Sequence, residues 1–139
     1  MITVRVSALI NPTELEEKVE AAVRNIFSEL ETHVEPGEKP RLSGTGTADS
    51  LKKLHELLRA EKILDTARSV LIRGKRGELT EFCIGKQVAF AGRANFSDDE
   101  SLGSIYVEIQ AGSEAELMHL IDWLAPSTVD GRPVEEIEL

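Results

Sequence analysis

Eight cations in the middle of the chain carry the chemistry that the sequence offers most openly: Arg59, Lys62, Arg68, Arg73, Lys75, Arg76, Lys86 and Arg93. Gathered on one surface, they would bind phosphate, because each Lys or Arg that meets a phosphate releases condensed counterions and adds to affinity. Between Lys52 and Arg93 there are ten Lys/Arg against five Asp/Glu, a local +5. The rest of the chain holds six Lys/Arg against twenty Asp/Glu, and the total is −9. A local field, not the total, decides which ligand approaches which face. Arg73, Lys75 and Arg76 at a helix–strand corner, with Lys86 on a hairpin tip, are the expected core of a basic patch. The competing reading is a solvated face whose cations are balanced by Glu61, Asp65 and Glu78. Aromatic residues are 4% of the chain, so composition alone offers no base-stacking platform.

Other motifs point to less. Gly44-Thr45-Gly46 ahead of a helix suggests an anion site. It lacks both the Gly-Lys-Ser/Thr of a phosphate loop and the third glycine of a dinucleotide loop, so it reads as turn and strand-end glycines. Asp65 and Arg68, three apart on a helix, are expected to pair internally. Glu116 and His119 have the spacing of half a carboxylate-bridged metal site, but only one copy exists and Glu116 also suits a capping box. His33 and His55 stand alone, and Asp98, Asp99 and Glu100 read as an acidic loop. No base is placed beside Ser69, so no nucleophilic machinery is expected. The chain reads as non-catalytic, with no metal, cofactor or small-molecule ligand.

At 139 residues, with 41% apolar and 29% charged content, the chain is expected to be a single domain spanning residues 1–139. The single cysteine, Cys83, cannot form an internal disulfide and reads as a small apolar residue in a strand. No leader and no apolar run of about 18 residues is visible, so a cytoplasmic, membrane-free protein is expected. Three Asn and two Gln beside abundant Glu, Lys and Arg lean toward a thermophile-like composition.

The elements that must position these residues follow from periodicity. Ile2, Val4 and Val6 alternate with polar residues and predict a strand over Met1–Ile10. Asn11-Pro12-Thr13-Glu14 reads as the start of a helix running to about Leu30, with Leu15, Val19, Ala22, Ile26, Phe27 and Leu30 as its stripe. Pro36-Gly37 predicts a turn between short strands at Thr32–Glu35 and Arg41–Thr45. Asp49 or Ser50 is expected to cap the next helix. Leu51–Arg73 predicts two helices, or one bent near Glu61, stopped by Gly74. Glu78–Ile84 and Gln87–Ala91 read as a hairpin turning at Gly85-Lys86, with Phe82, Ile84, Val88 and Phe90 sharing a face. A polar loop covers Gly92–Gly103, a strand Ser104–Gln110, and a last helix opens on Ser113-Glu114-Ala115-Glu116 and ends at Ala125-Pro126. The tail beyond Asp130-Gly131 is acidic. This order predicts an α+β fold, a largely antiparallel sheet with helices packed on one face.

Several stretches resemble the archaeal uncharacterised protein family 0201. They are Ile10-Asn11-Pro12-Thr13-Glu14, Leu42-Ser43-Gly44, Ile63-Leu64-Asp65-Thr66-Ala67-Arg68-Ser69-Val70-Leu71, Lys86-Gln87-Val88-Ala89-Phe90, Asn95-Phe96-Ser97-Asp98, Leu102-Gly103 and Asp122-Trp123-Leu124-Ala125-Pro126. They span nearly the whole chain, and the Ile63–Leu71 run is the most specific. The resemblance implies an archaeal source and a fold like that of the ribosomal protein that binds 5S RNA. It also implies a grouping with RNA-binding proteins, with no catalytic residues to carry over. RNA is therefore the first expected partner, met through the basic corner. A protein-interaction module or homodimeric scaffold, joined through an unpaired edge such as Ser104–Gln110, is the alternative.

Overall fold

The computed structural model describes residues 1–97 and 103–139. The acidic centre of the expected polar loop, Asp98, Asp99 and Glu100, and the Leu102 of the family stretch lie outside the described residues.

Six strands form one antiparallel sheet. They are β1 (Thr3–Leu9), β2 (Glu31–Glu35), β3 (Arg41–Gly46), β4 (Lys75–Arg76), β5 (Leu79–Gly85) and β6 (Ser104–Gln110), in the spatial order β2-β3-β1-β6-β5-β4. Helices α1 (Glu16–Ile26), α2 (Lys52–Ala60), α3 (Leu64–Arg73), α4 (Lys86–Phe90) and α5 (Glu114–Leu124) accompany it, with a 3-10 turn at Ala48–Leu51 and a small hairpin of β7 (Thr128–Val129) and β8 (Arg132–Pro133). The α+β class with a largely antiparallel sheet stands as expected. One face of the sheet is apolar. Val4, Val6 and Ala8 of β1, Ile105, Val107 and Ile109 of β6, and Phe82 and Ile84 of β5 are buried against the helical layer. Fully burying such a side chain contributes roughly 1.5–3 kcal/mol. The alternate residues, among them Arg5, Ser7, Ser43, Glu81, Tyr106 and Glu108, form an open face that is half-buried or exposed.

Three local expectations give way. The first helix begins at Glu16, not at Asn11, and ends at Ile26; Leu15 is exposed, not part of the stripe. Asn11 to Glu14 is instead a turn, closed by Glu14 N–H to the Asn11 carbonyl at 2.9 Å. The 3-10 turn is capped by Thr47, whose hydroxyl accepts from the Asp49 N–H at 3.3 Å, in place of Asp49 or Ser50. The hairpin at Gly85-Lys86 does not form. Residues 86–90 make α4, which packs on α1 with the Asn25 amide donating to the Ala89 carbonyl at 2.9 Å. Five residues are too few for a period-2 pattern to tell strand from helix. The real hairpin lies earlier, between β4 and β5, turning at Gly77 with φ +63.

The helix pair is a true break. Lys62 sits at φ +57, its N–H donates to the Arg59 carbonyl at 3.2 Å, and the Ile63 N–H donates to the Leu58 carbonyl at 3.0 Å. That is a Schellman closure with a lysine where glycine is usual. Gly74 does end α3, but at φ −84, so it is not a left-handed stop. It is required because a Cβ there would lie 2.1 Å from the Glu81 carbonyl oxygen of β5.

Candidate nucleic-acid interface

The fold scatters most of the eight expected cations and neutralises many of them. Arg59 on α2 bonds both carboxylate oxygens of Glu136, at 2.6 and 2.8 Å, and donates to the carbonyls of His55, Trp123 and Leu124. It fastens the C-terminal segment. Arg68 on α3 pairs with Asp122 at 2.8 Å and reaches the Ala125 carbonyl at 3.1 Å. The expected Asp65–Arg68 pair is absent among the described residues, because Asp65 accepts from the Thr128 hydroxyl. Lys75 points from β4 toward α5 and meets Glu114 at 3.4 Å. Arg93 lies 3.4 Å from Glu61. Lys62 is exposed in the inter-helix turn.

Lys86 is the clearest departure. It is fully buried at 0% exposure, and its ammonium donates to the Leu9 carbonyl at 2.7 Å and to Glu14 Oε1 at 2.9 Å. A lysine at the start of α4, facing into the molecule, cannot serve an external phosphate. These two contacts go to the end of β1 and to the turn that follows it. Glu14 Oε1 also accepts from the Asn11 N–H and side-chain amide, both at 2.9 Å. Burial alone would raise the Glu14 pKa. The Asn11 N–H and the Lys86 ammonium outweigh it, and the pKa lies below the ordinary value.

Two of the eight come together as expected. Arg73, in the last turn of α3, donates to Ser69 Oγ at 3.1 Å. Arg76, on the outermost strand, donates to the carbonyls of Arg73 and Lys75 at 3.1 and 2.7 Å. Both are exposed, and among the described residues neither has a carboxylate within ion-pair distance. The register explains the difference from Lys75. Arg76 pairs with Leu79 and belongs to the open face, whereas Lys75 pairs with Thr80 and belongs to the helix face.

Both arginines line a cleft of about 470 Å³, with Gly74, Glu81, Phe96 and Tyr106 among its other walls. Tyr106 is 38% exposed at the middle of the open face. Its hydroxyl donates to the Glu81 carboxylate, and that bond, with some burial and the Glu81 charge, pushes the phenol up to about 12. Phe96 meets Phe82 edge-on with ring centroids 5.7 Å apart. Sequence reasoning did not single out Tyr106. The signal was present: strict alternation in β6 buries Ile105 and Val107 and turns Tyr106 outward.

The remaining motifs are used structurally. Gly44 and Gly46 lie in β3 beneath Leu30 and Ser50. Glu116 binds the Met1 ammonium at 2.7 Å and the Gly112 N–H at 2.6 Å, while Ser113 caps α5 by accepting from the Glu116 N–H at 3.1 Å. His119 contacts the Glu138 carbonyl at 3.0 Å. Among the described residues no group of three or more His, Cys, Asp or Glu could hold a metal, and no helix is long and apolar enough to cross a membrane.

Comparison with known proteins places the chain in a family. A family model described as RNA binding matches residues 3–111. A UPF0201 protein of Methanosarcina acetivorans is 40% identical over 153 aligned positions, covering 100% of this chain and 93% of the relative. A UPF0200/UPF0201 protein of Archaeoglobus fulgidus is 39% identical over 99% of this chain, which spans 41% of that relative's length. The crystal structure of a UPF0201 protein from Methanococcus jannaschii superposes with a TM-score of 0.88 at 35% identity, covering 96% of this chain and 99% of that one. With the match running from β1 through β6 and the whole fold shared, the chain belongs to the archaeal UPF0201 family, under the family model described as RNA binding.

Proposed function

We propose that this protein is a non-catalytic, cytoplasmic RNA-associated protein whose contact is the corner formed by Arg73 and Arg76. The observation that carries this reading is the pair of exposed arginines on one cleft, Arg76 donating to the Arg73 carbonyl, with no carboxylate within ion-pair distance of either among the described residues. An arginine so placed offers planar, bidentate donors suited to phosphate oxygens. The family description supports the ligand class. Arg59, Arg68, Lys75 and Arg93 are engaged by carboxylates and add little. The likeness to the ribosomal 5S-RNA-binding protein is part of the same reading. The test is binding of labelled RNA across a salt series. Affinity should fall as salt rises. Arg73→Glu with Arg76→Glu should abolish binding at physiological salt and flatten the slope by about 1.4, since each phosphate neutralised on a single strand accounts for ~0.7. Unchanged affinity in that variant rejects the corner.

A second reading, a protein-interaction module, is favoured by the Archaeoglobus fulgidus relative, whose name joins two families on a longer chain. On this reading the present chain docks a separate UPF0200 protein, and light scattering of the mixture tests it. Self-association through Ser104–Gln110 does not fit the fold, since β6 is paired on both sides. The free edge at β2 carries Glu31 and Glu35, which would face each other in an antiparallel self-pair centred on His33 and repel.

A further inference from the structure

The cleft at Arg73 and Arg76 is one of three that adjoin. Arg73 also lines a second cleft of about 600 Å³ along α3, beside Ser69, Ile72 and Thr128. Tyr106 also lines a third, of about 360 Å³, on the open sheet face beside Arg5, His33 and Arg41. Arg73 is thus a wall common to the first and second clefts and Tyr106 a wall common to the first and third, and the three lie in series as a trough from α3 past the β4–β5 edge to the open sheet face.

The trough's charge is graded. Among the described residues Arg73 and Arg76 have no carboxylate within ion-pair distance, whereas Glu81, in the wall of their own cleft, sits opposite Glu108 in register on the sheet. Farther on, Arg5 lies 3.5 Å from Glu108 and Arg41 donates to Ser7. A duplex is stiff and displays phosphate on every side, so docking it on this face would drive phosphates onto Glu81 and Glu108. A single strand can turn each nucleotide, setting phosphates on the arginines and neutral bases over the sheet. Unpaired bases stack on aromatic side chains and bond through their exposed edges. A carboxylate accepts from the amino groups of adenine, cytosine and guanine. Uracil has none.

We propose that the ligand of this surface is single-stranded RNA, laid along the trough with phosphates at Arg73 and Arg76 and one base stacked on Tyr106, and that amino-bearing bases are favoured over uracil. The inference rests on the corner reading above and specifies its ligand.

The test is fluorescence anisotropy of the full chain with labelled oligo(A), oligo(U) and a blunt RNA duplex of equal length. It compares the native protein with Tyr106→Ala and with Arg73→Glu/Arg76→Glu, each checked for native circular dichroism. Oligo(A) should bind best, oligo(U) less and duplex least. Tyr106→Ala should weaken oligo(A) by roughly 5- to 150-fold, the range for removing one base stack. Duplex binding equal to or tighter than oligo(A), oligo(U) binding equal to oligo(A), or an unchanged Tyr106→Ala variant overturns this inference. If the arginine variant still loses binding in those cases, the corner survives. Retained binding by the arginine variant, or no binding of any RNA, overturns both.

Discussion

The Lys86 ammonium lies 2.9 Å from Glu14 Oε1, and the two side chains are buried together, 0% and 6% exposed, where α4 meets the turn after β1. Glu14 Oε2 is buried without a hydrogen bond. Removing one member of a buried pair leaves an uncompensated charge, whereas replacing both with apolar groups is often neutral or better. Lys86→Met should therefore cost about 3–5 kcal/mol in urea unfolding, and adding Glu14→Leu should recover most of it. The pair also has a pH signature. The Glu14 pKa is depressed in the folded chain, so its contribution is complete above the ordinary value of 4.5 and is lost as pH falls through the folded value below it. The double variant should lose that component of acid sensitivity. A double-variant loss equal to the sum of the Lys86→Met and Glu14→Leu losses would show that the two side chains act separately.

His55 stacks on Trp123 with ring centroids 4.4 Å apart and planes at 24°. Burial, then the nearby Arg59 charge, holds its pKa below 6.5 despite the opposing pull of Glu136 and Glu56. The unfolded chain takes up this proton more readily, so stability is fully present above 6.5 and declines as pH drops below it. Unfolding midpoints measured from pH 5 to 7.5 should slope downward toward acid, and His55→Gln should flatten the curve. Trp123 is the chain's only tryptophan, so its fluorescence reports the same titration. A fluorescence midpoint above 6.5 contradicts the buried stack.

Tyr106 is the only tyrosine, and its bond to Glu81 keeps the phenol protonated to about 12. Tyrosinate absorbance should appear only near that pH, and Glu81→Gln should bring the midpoint back toward 10. A midpoint of 10 in the native protein would mean that Glu81 does not hold the ring.

Gly74 admits no side chain because the Glu81 carbonyl closes on it. Gly74→Ala should push α3 from β5 and cost about 1–3 kcal/mol, the range of an overpacked site. Denaturant titration decides it. A neutral result would place α3 farther from the strand, and with it Arg73.

The sequence by itself determined the strands at Thr3–Leu9 and Ser104–Gln110, the paired helices, the Ser113 cap and the α+β class. Each is written in local period, cap or turn chemistry that acts over a few residues. It also held the basic segment that contains Arg73 and Arg76. Only the tertiary structure decided which cations matter. Lys86 went inside because Glu14 and the Leu9 carbonyl, more than 70 positions away, accept its protons; Arg59, Arg68 and Lys75 were neutralised by Glu136, Asp122 and Glu114 from the C-terminal third. Charge pairing over such separations depends on which elements the sheet order brings together, and no local pattern records that order. The same holds for Tyr106, turned outward by β6 alone but set beside the arginines by the β4–β5–β6 pairing.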